Sequence, residues 1–419
     1  MSDLQNKPSK GAQLWDWIND RFPVTETWDR HIGKYYAPKN FNWLYVMGFL
    51  ALLVLVIQLV SGFYLTMSYK PDALKAFDSV EYIMRDVEYG WLLRYLHSTG
   101  ASAFFIVVYL HMFRGLVYGS YRTPRELVWL IGMGIYLVMM AEAFLGYLLP
   151  WGQMSFWGAQ VIVNLFDAVP VIGPGLAEWI RGDFVISDIT LNRFFAFHVF
   201  LMPLLLIAFI YLHIVALHAK KVGSNNPDGI EVKKNLDESG VPRDGVPFHP
   251  YMTTKDFIAG GIFMFLFLWV VFYAPEGGGY FLEPPNFEQA NSLKTPDHIA
   301  PVWYFTPFYA MLRAIPSIAG STFPSVLVMG GGILIWAFLP WLDRSPVKSI
   351  RYKGILSRIA VICFVISFVV LGVLGTLPAT GIYTPLAQFF TLVYFAYFLL
   401  MPFYTRWERC KTPPERVTG

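Results

Sequence analysis

The chain has 419 residues, 55% of them hydrophobic and only 15% charged, and its mean hydropathy is +0.46. That composition belongs to polytopic membrane proteins rather than soluble enzymes, and a net charge of +3 is too small to call for nucleic acid as a partner. The two cysteines, Cys363 and Cys410, exclude a disulfide framework, a four-cysteine iron–sulfur cluster and the C-x-x-C-H signature of covalent haem.

Residues 1–42 are polar and carry no secretory h-region or cleavage site, so the first apolar segment is expected to remain as a helix. A membrane span needs roughly 20 apolar residues. Eight stretches qualify: 43–67, 91–117, 127–148, 192–218, 257–274, 324–342, 355–376 and 383–405. Many of the 14 tryptophans lie near the ends of these segments, where interfacial belts form. The expected fold is an all-α polytopic membrane protein with eight transmembrane helices embedded in a lipid bilayer.

An even number of spans puts both termini on one side. The N-terminal segment and four other segments are basic: the 114–126 turn (Arg114, Arg122, Arg125), the 219–255 loop (Lys220, Lys221, Lys233, Lys234, Arg243), the 343–353 turn and the tail. The intervening loops lean acidic, with Asp72, Asp78, Glu81, Asp86 and Glu88 in the first, Asp167, Glu178, Asp183 and Asp188 in the next, and Glu276, Glu283, Glu288 and Asp297 in the third. The positive-inside rule then assigns both termini to the cytoplasm. The outer loop 149–191 contains amphipathic pieces that read as surface helices, and the outer loop 275–323 is rich in proline and glycine with an apolar run from Val302 to Leu312. The organisation expected is an N-terminal cytoplasmic segment 1–42, a four-helix bundle 43–218, a flexible connector 219–256, helices five to eight in 257–405, and a tail 406–419.

Four histidines lie inside two of the spans, His97 and His111 in the second, His198 and His213 in the fourth. Ionisable side chains in hydrocarbon default to functional candidates. The first pair is 14 residues apart, returning to within about 40° of one helix face some 21 Å further along. The second pair is 15 apart, about 60° off in the other sense. The two helices run in the same direction, so His97 faces His198 near the outer surface and His111 faces His213 near the inner one. Two haems stacked across the membrane, each ligated from both sides, need this arrangement. A histidine-lined proton-coupled transporter and the dihaem anchor of a dehydrogenase are the alternative readings of such pairs.

Gly48 and Gly62 in the first span, and Gly132 and Gly146 in the third, are also 14 residues apart. Glycine admits the close approach of a flat ligand, although small residues also serve helix packing. Arg94 lies three residues before His97 and Arg114 three after His111, where cations would meet haem propionates or would simply snorkel to the interface.

The runs Arg94-Tyr-Leu-His-Ser-Thr-Gly-Ala-Ser, Leu148-Leu-Pro-Trp-Gly-Gln-Met-Ser-Phe-Trp-Gly158, Arg193-Phe-Phe-Ala-Phe-His198, Gly223-Ser-Asn-Asn-Pro227, Phe248-His-Pro-Tyr251 and Pro301-Val-Trp-Tyr304 resemble cytochrome b of the ubiquinol–cytochrome c oxidoreductases. The resemblance covers nearly the whole chain. It implies a low-potential b-type haem on His97 and His198, a high-potential one on His111 and His213, porphyrin contacts from the four glycines, and Ser224 and Asn225 near the inner propionate. It implies an inner quinone-reducing site with His218, Lys255 and Asp256, and an outer quinol-oxidising site lined by Phe144, Tyr147, Gly158, Pro301 and Tyr309. It further implies a proton-motive Q cycle in a bacterial inner membrane, separate Rieske-type iron–sulfur and cytochrome c-type subunits, and a homodimer of the complex.

Two departures stand out. The family's Pro-Glu-Trp-Tyr is Pro301-Val302-Trp303-Tyr304 here, and Val302 cannot bind or accept a proton. Glu142, one turn before Gly146 in an apolar helix, is the expected replacement, with Tyr147 and water as other routes. The 15-residue interval from His198 to His213 exceeds the 14 of mitochondrial members, and Pro203 between them is expected to kink the helix and absorb the extra residue. His31 and His249 show no haem signal, and His298 is expected at the surface of the outer loop.

Overall fold

The computed structural model describes residues 9–219 and 222–418. The charges placed on Lys220, Lys221 and the side chain of Lys234 lie outside the described residues.

Among the described residues, seven helices are long and apolar enough to cross a membrane, and a bent pair supplies an eighth. We label them α1 (Trp43–Thr66), α2 (Gly90–Tyr118), α3 (Glu126–Leu148), α4 (Asp188–His218), α5 (Phe248–Tyr273), α6 (Phe323–Leu342), α7 (Ile355–Thr376) and α8 (Tyr383–Leu399, continued by Met401–Trp407). Hydropathy places most boundaries within a few residues. The exceptions are the starts of α4 and α5, which begin in polar or proline-containing sequence that hydropathy does not mark. The last span is also not straight, turning by 56° between Leu399 and Met401. Pro402 lies in the first turn after the break, where its missing N–H removes the hydrogen bond that would continue the helix.

α1 packs along α2 and α3 along α4, forming the bundle that carries all four histidines, and α5 lies against α1 and α2. In the second half, α7 packs on α8 and on a short helix Thr306–Ala314, which also meets α6. One apolar core joins the halves: Phe105 and Met112 of α2 and Tyr136 of α3 share it with Tyr304, Phe308, Phe364 and Tyr394. The expected surface helices are present as Gln153–Asp167 and Gly173–Arg181, and an additional one covers Ala76–Arg85.

The basic segments all meet at one end of the bundle. Strand Tyr36–Pro38 of the N-terminal segment pairs antiparallel with Gly245–Pro247 of the connector. Asp244 and Asp228 in the connector bind Arg416 and Thr418 of the tail and Lys39 and Asn40 of the N-terminal segment. Buried Arg125 donates to Gly223 O at 2.7 Å and to both oxygens of Glu231, which also holds Lys348. The connector expected to be flexible is thus a clamped strap. Asp343, with Lys353 at 2.6 Å, Tyr121 at 2.7 Å and Arg122 at 3.4 Å, fastens the 114–126 turn to the 343–353 turn.

Candidate haem and quinone sites

The four histidines form two facing pairs. The ring centres of His97 and His198 are 6.0 Å apart, and those of His111 and His213 are 6.4 Å apart. An imidazole nitrogen sits about 2 Å from a metal it binds, with the ring centre about 1 Å behind, so two imidazoles sharing one ion have centres about 6 Å apart. Both pairs meet that spacing. Among the described residues no cluster of three or more His, Cys, Asp or Glu side chains could hold an ion. An ion with only two protein ligands must bring its remaining donors with it, and a porphyrin does so.

The unequal intervals reach the same registry because α4 is not uniform. Residues Phe197–Leu201 form a π-turn in which Met202 N–H bonds to Phe197 O. Pro203 follows at once, and without an N–H it cannot restore the α-helical ladder there. The wide turn takes up one extra residue, removing the 100° by which 15 would overshoot 14. The adjustment expected as a kink is therefore a local change of winding at the ligand itself.

Neighbouring groups fix the rings. Ser61 Oγ donates to Ile57 O at 2.6 Å and accepts from His97 Nδ1 at 3.0 Å. His198 Nδ1 faces Glu142 O at 3.0 Å and Glu142 Oε1 at 3.1 Å. In both rings Nε2 takes no hydrogen bond from a described residue, and a partner on Nδ1 is what orients a histidine that ligates through Nε2. Glu142, expected to serve quinol, has Oε1 on His198, and its Oε2 is buried without a partner.

Each glycine lies against one imidazole. A Cβ at Gly146 would stand 2.4 Å from His198 Cε1, at Gly62 3.0 Å from His97, at Gly132 3.3 Å from His213 and at Gly48 3.5 Å from His111. In this structure the space they clear belongs to the histidine rings. Cations accompany both pairs. Arg94 makes no guanidinium hydrogen bond to any described residue. Arg114 lies over the Tyr45 ring, donates to Ser120 Oγ at 2.9 Å, and keeps Nε unpaired. Asn225 donates to Tyr118 O at 2.6 Å and leaves Oδ1 free beside Ser120, whereas Ser224 bonds Tyr35 OH at 3.0 Å. The buried, unpaired Arg114 Nε near His111 and the partly exposed, unpaired guanidinium of Arg94 near His97 suit the carboxylates of a haem.

At the basic end, His218 bonds Ile214 O at 2.9 Å, and its ring meets Tyr35 and His31 at 4.5 and 4.9 Å. His31, set aside on sequence grounds, is thus a neighbour of the inner quinone candidate. Asp256 makes no hydrogen bond or ion pair with a described residue, and Lys255 lies over Tyr251.

At the other end the two long loops lock together. Gln153 N–H donates to Glu288 O and Ala290 N–H to Trp151 O, both at 2.9 Å. Gly158 faces Tyr147, with 3.6 Å from a Cβ there to the tyrosine ring. Tyr147 OH donates to Glu283 at 3.0 Å. Phe144 packs edge-on to Phe194, and Tyr309 donates to Ile299 O at 3.1 Å beneath Arg313. Val302 is buried, Trp303 donates to Ser102 at 3.0 Å, and Tyr304 stacks on Phe105 at 3.8 Å. His298 is partly buried and bonded to Thr376 O. The partners Ser61, Asn286 and Glu283 escaped the sequence reading; only the acidity of the third outer loop hinted at the last.

A multi-pass helical bundle with two facing imidazole pairs defines a class, the haem-binding electron carriers of membranes. Two family profiles match, Cytochrome b/b6/petB over residues 32–221 and Cytochrome b(C-terminal)/b6/petD over 289–395. A cytochrome b from Allochromatium vinosum is 64% identical over 407 residues, 96% of this chain and 98% of that one. One from Rickettsia bellii is 48% identical over the full length of both. A solved chain of a hyperthermophilic respiratory Complex III is similar in structure, with a TM-score of 0.85 at 39% identity over 94% of this chain and 99% of that one. The chain belongs to the cytochrome b family.

Proposed function

We propose that the two histidine pairs hold two non-covalent b-type haems, His97 and His198 the low-potential one toward the acidic-loop end, His111 and His213 the high-potential one toward the basic end. The spacing of the imidazole centres carries this reading. The protein acts as the catalytic membrane subunit of a quinol–cytochrome c reductase of the Complex III kind, moving electrons across the membrane in a Q cycle. Haem, when bound, supplies one-electron redox centres inside the hydrocarbon.

The chain's own residues do the rest. Ser61 and Glu142 orient the outer imidazoles, while Arg94 and Arg114 offset propionate charge. Phe144, Tyr147, Gly158, Pro301 and Tyr309 form the apolar outer site for quinol. His218 and Asp256, with Lys255 beside them, bind quinone at the inner site, where two protons must accompany two electrons. In this reading His218 donates a proton to one quinone oxygen, and Asp256, directly or through water, to the other. We assign the basic end, and with it both termini, to the cytoplasmic side of a bacterial inner membrane. Residues 43–218 are the dihaem unit, 219–256 the strap, and 257–405 the half completing the outer site through loop 275–323. A Rieske-type iron–sulfur protein and a cytochrome c-type subunit take the outer electron, in a complex that pairs as a homodimer.

A reduced-minus-oxidised visible spectrum with haem quantification tests this. Two b-type haems per chain are expected; finding none would end the proposal.

A further inference from the structure

Oxidising a quinol requires a proton acceptor, and neither residue that would fill that place does so here. Val302 is apolar and buried, and Glu142 lies within α3 with Oε1 on His198 and Oε2 closed off from solvent, so it has no outlet for a proton. We propose that Glu283, positioned by Asn286 and Tyr147, is the proton acceptor for quinol at the outer site. This rests on placing that site at Phe144, Tyr147 and Gly158.

The geometry is a closed triangle. Tyr147 OH and Asn286 Nδ2 each donate to Glu283 Oε2 at 3.0 Å, and Asn286 Nδ2 also reaches Tyr147 OH at 3.0 Å. No other side chain among the described residues bonds the second carboxylate oxygen, Oε1; the carboxyl's remaining contact is with the residue's own backbone N–H, which leaves Oε1 room to accept from a substrate hydroxyl. Asn286 is itself held rigidly. Its Oδ1 accepts from Ser155 N–H at 2.8 Å at the start of helix Gln153–Asp167, and Gly152 lets the two loops touch, since a Cβ there would lie 2.6 Å from that oxygen. A base whose partners are fixed this way is preorganised. One clamp thus joins α3, the first outer loop and the second at the tyrosine that faces Gly158.

Burial pushes the Glu283 carboxyl up to about 7, against the opposing pull of its own backbone N–H, Tyr147 and Asn286. The ionisable groups facing it are Tyr147 from α3 and Tyr304 from the Pro301–Tyr304 segment, whose own phenol is raised by burial and by Glu283. No cation among the described residues offsets that rise. A base tuned near neutrality is what general-base transfer requires. In the step, a quinol O–H bond breaks and the proton forms an O–H bond on Glu283. One of the quinol's two electrons leaves with that proton to the one-electron oxidant that the reductase already uses, the iron–sulfur partner, and the ring keeps its second electron and second hydroxyl proton for the following step. Glu283 then releases its proton to water on the outer side and is restored.

The test uses the whole complex in native membranes, with decylubiquinol as probe and cytochrome c reduction as readout between pH 5.5 and 8.5. The unaltered enzyme slows as pH falls through about 7, because a protonated Glu283 cannot accept. Glu283→Gln, nearly isosteric, is expected to lose roughly a hundredfold in rate and to lose that acid limb, with the haem spectrum unchanged. Glu283→Asp is expected to keep the limb at a reduced rate, and it serves as the informative variant should Gln fail to assemble. A Gln variant with full rate, or a slow one with the limb intact, overturns the proposal. So does an assembled Asp variant that has lost the limb. Gly158→Phe fills the space beside Tyr147 and separates the two levels. If it abolishes oxidation while Glu283→Gln is silent, only the Glu283 role is lost; if both are silent, the outer-site placement falls with it.

Discussion

The glycine–histidine contacts give a graded prediction. Alanine at Gly146 puts a methyl 2.4 Å from His198 Cε1 and 2.8 and 2.9 Å from the two ring nitrogens, so the ring must retreat by about 1 Å to reach ordinary contact. The ring cannot simply turn aside, because Glu142 holds its Nδ1 through both the backbone and the carboxylate. Overpacking of this kind is worth about 1–3 kcal/mol. At about 1.4 kcal/mol per tenfold, that is roughly a 5- to 150-fold loss of haem affinity at the outer position. Gly48→Ala meets His111 at 3.5 Å, an ordinary contact, and alanine's helix propensity adds about 1 kcal/mol in its favour. Gly62 and Gly132 fall between, at 3.0 and 3.3 Å. The assay is haem content and difference spectra of the four alanine variants purified under identical conditions. The expected order of damage is Gly146, Gly62, Gly132, Gly48, with the first two affecting the outer haem only. Full outer-haem occupancy in Gly146→Ala, or equal loss in Gly48→Ala, would refute the reasoning.

Glu142→Gln removes a negative charge from the His198 imidazole, so the outer haem's midpoint potential should rise; an unmoved potential would mean that the contact at 3.1 Å carries no charge to the ligand. His218→Gln should slow reoxidation of the inner haem by quinone while leaving cytochrome c reduction at the outer site intact in a single turnover. Asp343→Asn strands buried Lys353, and breaking such a pair should lower stability by about 3–5 kcal/mol, read as a reduced Tm of the detergent-solubilised protein. Burial raises the Asp343 carboxyl, but Lys353 and Arg122 outweigh it, leaving its value below the ordinary one. Its contribution is therefore full at neutral pH and lost as pH falls through that lowered value, so the Tm difference between the two proteins should narrow only in strong acid.

Hydropathy and loop charge were sufficient for the spans and for the grouping of basic segments at one end, because both depend on local composition. The histidine pairs were legible for the same reason: two polar rings about four turns apart in an apolar helix are conspicuous, and helical periodicity says which ones face. What decides the chemistry around them was not legible. The π-turn at Phe197–Leu201 follows from an insertion that many places along α4 would accommodate, and only packing selects the one beside His198. Ser61 and Glu142 acquire meaning from rings on other helices, 36 and 56 residues away. Glu142 looked like the missing acid because sequence shows a buried carboxylate without showing its partner. Glu283 stood among several acidic loop residues, and nothing before the loops close distinguishes it from Glu276 or Glu288. The bend in α8 was signalled by Pro402, which hydropathy ignores.

The most direct test of the central claim is an equilibrium redox titration of haem absorbance in the intact complex. Two b-type waves of equal amplitude are expected, with His97→Asn removing only the low-potential wave and His111→Asn only the high-potential one. A single wave in the unaltered protein, or both waves surviving either substitution, would contradict a pair of haems held by these four histidines.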